Sequence, residues 1–304
     1  MVRPSPLNSH DKVYLLSTAR KSDESAYIPA VNWLKSVGLQ PVLGETATAD
    51  YHQFAGEDEV RIRDLQKALD DPEIKAIWCI RGGYGTVRVI DHLSFEQFRK
   101  NPKWIIGYSD VTALHSRIQE EGFQSIHGTM PVNIPSDPNT FQSESMSRLL
   151  DVLKGRFEPI TWAPHELDRT GSAEGTLVGG NLSVLYSLLG SSSFPRTEGQ
   201  ILFLEDLDEY LYHIDRMMMA FKRAGVFNGL AGLVVGGMSD MNDNTVPFGK
   251  DARTIIREAA DEYDFPIYFN FPAGHQDLNL PLILGAEVGL EKNRLEVKTV
   301  KGKR

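Results

Sequence analysis

Residues 103–122 read KWIIGYSDVTALHSRIQEEG: a short apolar run, a tight Gly107-Tyr108-Ser109-Asp110 turn, then apolar residues at Val111, Leu114 and Ile118 with the spacing of one helix face. Gly122 is a natural stop for that helix. The pattern places Ser109 at a strand-to-helix elbow, with its hydroxyl above a sheet edge and the next backbone N–H groups at the positive end of a helix, an arrangement suited to acyl transfer. Val111 or Thr112 stands where a G-x-S-x-G elbow would carry its second glycine, and a serine at such a turn commonly only caps its helix. Whether Ser109 is a nucleophile therefore depends on what the rest of the chain supplies.

Outward from the elbow, strands and helices alternate. Strands are predicted at 12–17, 41–43, 74–80 and 103–106, and helices at 26–37, at 57–69 and from Thr86. This rhythm implies an α/β, doubly wound parallel-sheet domain whose carboxyl strand ends make the natural site. The elbow and the Arg81-Gly82-Gly83-Tyr84-Gly85 turn both fall at such ends. Between 131 and 169, Pro135, Pro138, Pro159 and Pro164 punctuate polar text around one helix near 143–153, which reads as a connection between domains. Beyond it are predicted a strand at 173–178, a Gly179-Gly180-Asn181 turn and a helix through Leu189. A strand at 200–204, helices at 212–224 and 251–261, strands at 230–235 and 267–270, and short β segments from Leu282 complete the chain. The expected domains are 1–135, which bears the elbow, and 173–304, a mixed α/β domain, joined by 136–172.

With 304 residues, 41% hydrophobic and 24% charged, the chain is ordinary globular material long enough for two cores. Its net charge of -9 argues against nucleic acid or an anionic membrane as the main partner. No stretch approaches 18 uninterrupted apolar residues and the first residues lack a signal-peptide core, so a cytoplasmic location is expected. Cys79, the single cysteine, excludes an internal disulfide and reads as a buried strand residue. No H-E-x-x-H spacing and no phosphate loop occur, so neither metal nor cofactor is expected.

Two further residue types complete a hydrolytic constellation. Glu205 ends the predicted strand ILFLE before an acidic run, where it would either orient an imidazole or belong to a solvated loop; Glu209 is its closest competitor. His275, in FPAGHQDLNLPLILG, is held between Pro272, Gly274 and Pro281 on a shaped loop. His127 is the second candidate, His115 reads as packed on the elbow helix, and His10, His52, His92, His165 and His213 read as solvent-facing. Serine needs a base to take its proton, histidine titrates near neutral pH, and a carboxylate fixes the imidazole tautomer. The amides of Asp110 and of Gly82 or Gly83 would supply oxyanion donors, the glycines also permitting close approach of substrate. The Arg81 fork suits either a terminal carboxylate or a structural ion pair, and Tyr84 either borders the substrate or packs.

With these residues assembled, the chain resembles the LD-carboxypeptidases, the serine peptidase family of muramoyltetrapeptide carboxypeptidases that also holds the microcin C self-immunity hydrolases. The resemblance covers nearly the whole chain. It rests on Phe54-Ala55-Gly56, RGGYG at 81–85, GYSD at 107–110, HGTM at 127–130, GGNL at 179–182, LED at 204–206 with Asp215-Arg216 after it, and Gly274-His275 leading to Leu280-Pro281. It implies Ser109 as nucleophile, His275 as general base and then acid, Glu205 as the residue orienting His275, and no metal. It further implies an amino-terminal domain like the class I glutamine amidotransferases, a carboxy-terminal mixed α/β domain and a homodimer. The implied reaction removes the terminal D-alanine of murein tetrapeptides in cytoplasmic cell-wall recycling. On that substrate Arg81 or Asn181 would meet a carboxylate and Glu209 the amine. Two departures from the family pattern are Ser17-Thr18-Ala19-Arg20, where many relatives have an Ala-Pro-Ser type of turn, and Thr129, where proline is frequent. Cleavage of an amide that joins a peptide or amino acid to a nucleotide analogue is the alternative within the fold, and a catalytically silent small-ligand-binding protein the alternative outside it.

Overall fold

Tyrosine, tryptophan and aliphatic runs build the strands of a computed structural model that describes residues 1–135 and 144–298. Positions 136–143, including Pro138 and the predicted helix start at 143, lie outside the described residues, as do 299–304. In chain order come β1 (Lys12–Leu16), α1 (Ile28–Ser36), β2 (Gln40–Leu43), α2 (Asp58–Asp70) and β3 (Ile74–Cys79). Then follow α3 (Glu96–Lys100), β4 (Trp104–Gly107), α4 (Thr112–Glu120), β5 (Ser125–His127) and α5 (Glu144–Leu153). Next are β6 (Ile160–Thr161), β7 (Ser172–Asn181), α6 (Leu182–Leu188), β8 (Ile201–Leu207), α7 (Leu211–Arg223) and β9 (Gly232–Ser239). Last are α8 (Ala252–Ala259), β10 (Ile267–Tyr268), β11 (Leu282–Leu284), β12 (Glu287–Glu291) and β13 (Arg294–Val297).

These elements form a mixed α/β fold of two units. One is Met1–Arg156 with Leu280–Ile283, the other Phe157–Asn279 with the chain from Leu284 onward. The first holds a six-stranded sheet of order β11-β5-β4-β3-β1-β2, in which the pairs from β2 through β5 are parallel. All four residues of β4 are buried and five of six in β3, the continuous apolar character of strands covered on both faces. The second unit holds a seven-stranded sheet of order β10-β9-β8-β7-β12-β13-β6, parallel across β10 to β7 and antiparallel beyond. Met217, Met218 and Phe221 of α7 and Ile255 and Ile256 of α8 bury against Leu202, Leu204, Leu233 and Val235 of β8 and β9. Each such side chain contributes about 1.5–3 kcal/mol by leaving water.

The structure departs from the sequence reading at three places. The helical stretch expected from Thr86 is two short 3-10 turns, Thr86–Arg88 and Ile90–His92, before α3, because β-branched Thr86, Val87, Val89 and Ile90 are poor helix formers. Gly179 and Gly180 do not make a turn: β7 runs through them to Asn181. A Cβ at Gly179 would fall 2.1 Å from Phe203 O, so glycine there serves close approach of β7 to β8. Finally, β8 does not end at Glu205 but continues to Leu207, carrying Glu205 and Asp206 inside the sheet with buried side chains.

Candidate active site

The serine elbow lies in the first unit. Ser109 has φ +61°, a left-handed conformation that costs a non-glycine residue on the order of 1 kcal/mol and marks a constrained elbow. A one-turn 3-10 segment, Ser109–Val111, leads from it into α4. Gly107 allows the fold-back, since a Cβ there would meet Val111 Cγ2 at 2.9 Å. The RGGYG turn packs against the elbow through Gly82, whose missing Cβ would stand 3.1 Å from Ser109 Oγ and 3.4 Å from the Asp110 nitrogen.

Two buried charged residues hold these loops. Asp110, besides offering its N–H, accepts a 2.9 Å hydrogen bond from the Thr86 nitrogen on its own carboxylate, tying the end of the glycine turn to the elbow. Burial raises its pKa, opposed by hydrogen bonds from Thr86 and Gly85. Arg61 of α2 is buried, donates to Thr18 O at 2.8 Å and Gly85 O at 3.1 Å, lies over the Phe54 ring and pairs with Asp58. His115 is packed, as its place on the elbow helix suggests. Burial pushes its pKa down to about 4, so the neutral ring donates from Nε2 to Gly107 O at 2.8 Å and accepts at Nδ1 from the Ser125 hydroxyl at 2.9 Å. His127 is fully buried beside Tyr108. Cys79 is buried and its thiol is pushed up to about 12, which leaves it unreactive.

The pair His275 and Glu205 lies in the second unit. His275 Nδ1 is 2.6 Å from Glu205 Oε2, which also accepts from the His275 backbone nitrogen at 3.1 Å. Glu205 is fully buried, not part of a solvated acidic loop. The geometry follows from a register slip. Leu204 pairs with Val235 but Asp206 with Met238, so Gly236 and Gly237 together face Glu205 across β8 and β9. A Cβ at Gly236 would fall 2.4 Å from Ala273 O, so glycine lets the histidine loop approach the sheet. Gly274 has φ +103°, and a Cβ there would collide with Glu205 at 2.7 Å. The loop is held by Gly274 N to Asn279 Oδ1 at 2.9 Å, Gln276 Nε2 to Phe271 O at 2.8 Å, and the Ser239 hydroxyl to His275 O.

Burial alone would lower the His275 pKa, but the Glu205 hydrogen bond and the charges of Glu205 and Asp206 outweigh it and the pKa rises. With Nδ1 facing a carboxylate, the neutral ring carries its proton there and Nε2 is the basic nitrogen. Asp206 accepts 2.9 Å bonds from Asn181 Nδ2, Ser183 N and Leu207 N; burial and then the Glu205 charge raise its pKa to about 7. Gly274→Ala is accordingly expected to displace His275 from Glu205, lowering kcat at least 100-fold while the melting temperature falls by only a few degrees. Steady-state kinetics and thermal denaturation check it.

Of the proposed substrate contacts, Arg81 is half-buried with Nη1 3.4 Å from Lys21 O, and Tyr84 is 49% exposed beside Gly83. Asn181 caps α6, accepting from Val184 N at 3.1 Å, and also holds Asp206, so its side chain is engaged within the unit. Glu209 pairs with His213 Nδ1 at 2.5 Å and does not orient His275; His213 and His165 are half-buried, unlike the exposed His10, His52 and His92. Reading along the chain missed the carboxylates of Asp110 and Asp206, Arg61, and the Gly236-Gly237 pair. Arg61 was signalled by its place on the stripe Arg61-Leu65-Ala68-Leu69 of α2, and Gly236-Gly237 by its position after the apolar run at 233–235.

A family model described as the LD-carboxypeptidase N-terminal domain matches residues 13–128, and one described as the LD-carboxypeptidase C-terminal domain matches residues 174–290. A Bacillus subtilis (strain 168) protein named probable murein peptide carboxypeptidase is 32% identical, over 95% of this chain and 91% of its own. The chain belongs to the LD-carboxypeptidase family. It is thus a carboxypeptidase, a hydrolase of the serine peptidase class. Among solved LD-carboxypeptidase structures, the muramoyltetrapeptide carboxypeptidase from Oxalobacter formigenes has a TM-score of 0.85 at 25% identity, covering 95% of this chain and 99% of that one. The microcin C7 self immunity protein MccF, in complex with aspartyl sulfamoyl adenosine, has a TM-score of 0.86 at 20% identity over 97% and 98%, a likeness of fold. No helix among the described residues is long and apolar enough to cross a membrane, and no cluster of three or more His, Cys, Asp or Glu among them could hold a metal ion.

Proposed function

We propose that this LD-carboxypeptidase releases the terminal D-alanine of murein tetrapeptides through a Ser109, His275 and Glu205 triad, acting in the cytoplasm as a homodimer during cell-wall recycling. The 2.6 Å contact between His275 Nδ1 and buried Glu205 carries the reading, because a histidine fixed this way is prepared to serve as a base. In the proposed reaction Nε2 of His275 takes the Ser109 hydroxyl proton while Oγ bonds to the scissile carbonyl carbon. The amides of Asp110 and of Gly82 or Gly83 stabilise the resulting oxyanion. The C–N bond then breaks, His275 returns its proton to the departing D-alanine amine, and a water repeats the sequence on the acyl ester to restore Ser109. Arg81 or Asn181 is assigned a substrate carboxylate, Glu209 the substrate amine and Tyr84 the edge of the site. The class I amidotransferase-like description of the first unit belongs to the same reading, since its elbow and parallel sheet have that character.

The test is mass spectrometry of L-Ala-D-Glu-meso-diaminopimelate-D-Ala incubated with the protein in the presence of a metal chelator. Release of D-alanine is the expected result. Absence of release by folded protein would overturn the substrate assignment. Cleavage of an aminoacyl-nucleotide amide instead would favour the reading to which the microcin self-immunity fold likeness points.

A further inference from the structure

Two guanidinium groups flank the glycine turn beside Ser109, and neither forms an ion pair among the described residues. Arg20 is exposed, and its backbone is laced into place: its N–H donates to Gly82 O at 3.4 Å, and it forms an antiparallel bridge with Phe54. Its side chain runs over Gly83, where a Cβ would fall 2.5 Å from Arg20 Cδ and 3.0 Å from Nε. Arg81 makes the reciprocal link with Nη1 3.4 Å from Lys21 O. Lys21, next to Arg20, is already neutralised by both oxygens of Asp50 at 2.7 Å. Each of the two cations is left without an acid, so an anion that reaches the glycine turn is attracted by both.

We infer that Arg20, together with Arg81, binds the terminal carboxylate of the departing residue and so makes Arg20 a determinant of carboxypeptidase specificity. This rests on the carboxypeptidase reading of Ser109. Register supports it. Gly82 stands against Ser109 and Gly83 lies under Arg20, one residue further, a step of about 3.8 Å between Cα atoms. In the substrate the scissile carbonyl and the terminal carboxylate are likewise one residue apart. A peptide whose carbonyl meets Ser109 therefore presents its carboxylate along the Arg20 stem, where a guanidinium fork can take both oxygens.

The experiment measures kcat/KM on the free-acid tetrapeptide and on the same peptide ending in D-alaninamide, for wild type, Arg20→Ala, Arg20→Lys and Lys21→Ala. Wild type is expected to prefer the acid. Arg20→Ala is expected to shrink the acid-to-amide ratio by about 10- to 100-fold, mostly through KM, with Arg20→Lys between the two. Lys21→Ala, which removes the same net charge, keeps the wild-type ratio. An unchanged ratio in Arg20→Ala, or an equal loss on both peptides, overturns the inference while leaving the tetrapeptide reading standing. Failure of wild type to cleave either peptide overturns that reading, and the inference with it.

Discussion

Ser109→Ala is expected to cut D-alanine release by about a million-fold, the loss seen when a triad nucleophile is removed and only binding and oxyanion donors remain. Ser109→Gly should be equally inactive but differ in stability. Ser109 sits at φ +61°, a conformation glycine adopts at no steric cost, so the glycine variant should gain on the order of 1 kcal/mol over wild type. Alanine keeps the steric problem and gains nothing. Single-turnover assays and thermal denaturation of the three proteins separate the two effects. A glycine variant that melts with wild type would mean that the elbow is not under strain, whatever the activity data say.

The second large effect is on Glu205. Glu205→Gln keeps the shape of the side chain but removes the charge facing His275 Nδ1, and a loss of about 10,000-fold in kcat is expected, as when a triad acid becomes an amide. The pH profile carries the sharper information. In wild type the His275 pKa lies above the ordinary histidine value, and the base works only when neutral, so the acidic limb of kcat/KM should fall above that value. In Glu205→Gln the hydrogen bond to a carboxylate and its charge are gone while burial, which lowers the pKa, remains. The limb should therefore move to lower pH even as the plateau drops. A limb that stays in place in the variant would show that another group is titrating.

The elbow, the glycine turn and His275 were legible in the sequence because each is a local pattern: an apolar run, a turn and a periodic helix, or a loop bounded by proline and glycine. The alternating βα rhythm of the first unit was legible for the same reason. What escaped was relational. The extra residue at Gly236-Gly237 exists only in the pairing of β9 with β8; the glycine pair after the apolar run at 233–235 marks the place, but not that two residues there face one of β8. Glu205 reads as a strand end that either orients an imidazole or belongs to a solvated loop, and Asp206 as the start of an acidic run, because composition alone treats carboxylates as solvated. Their burial becomes intelligible only once the His275 nitrogens and the amides of Ser183 and Leu207 are seen to meet them. Arg61 escaped likewise: its partners are carbonyls of Thr18 and Gly85, far from it in the chain.

The place of β11 bears on how the protein is made. Residues Leu282–Leu284, late in the chain, lie at the edge of the sheet that carries the elbow, next to β5. A ribosome that has finished β5 must therefore translate for on the order of ten seconds before that edge can be covered. Through that interval the nascent first sheet presents the backbone groups of Ser125–His127 to any passing strand. Fragments that stop before residue 280 keep that hazard permanently, so the serine-bearing unit should resist expression as a simple amino-terminal truncation. Grafting 280–284 back through a short linker should restore its solubility.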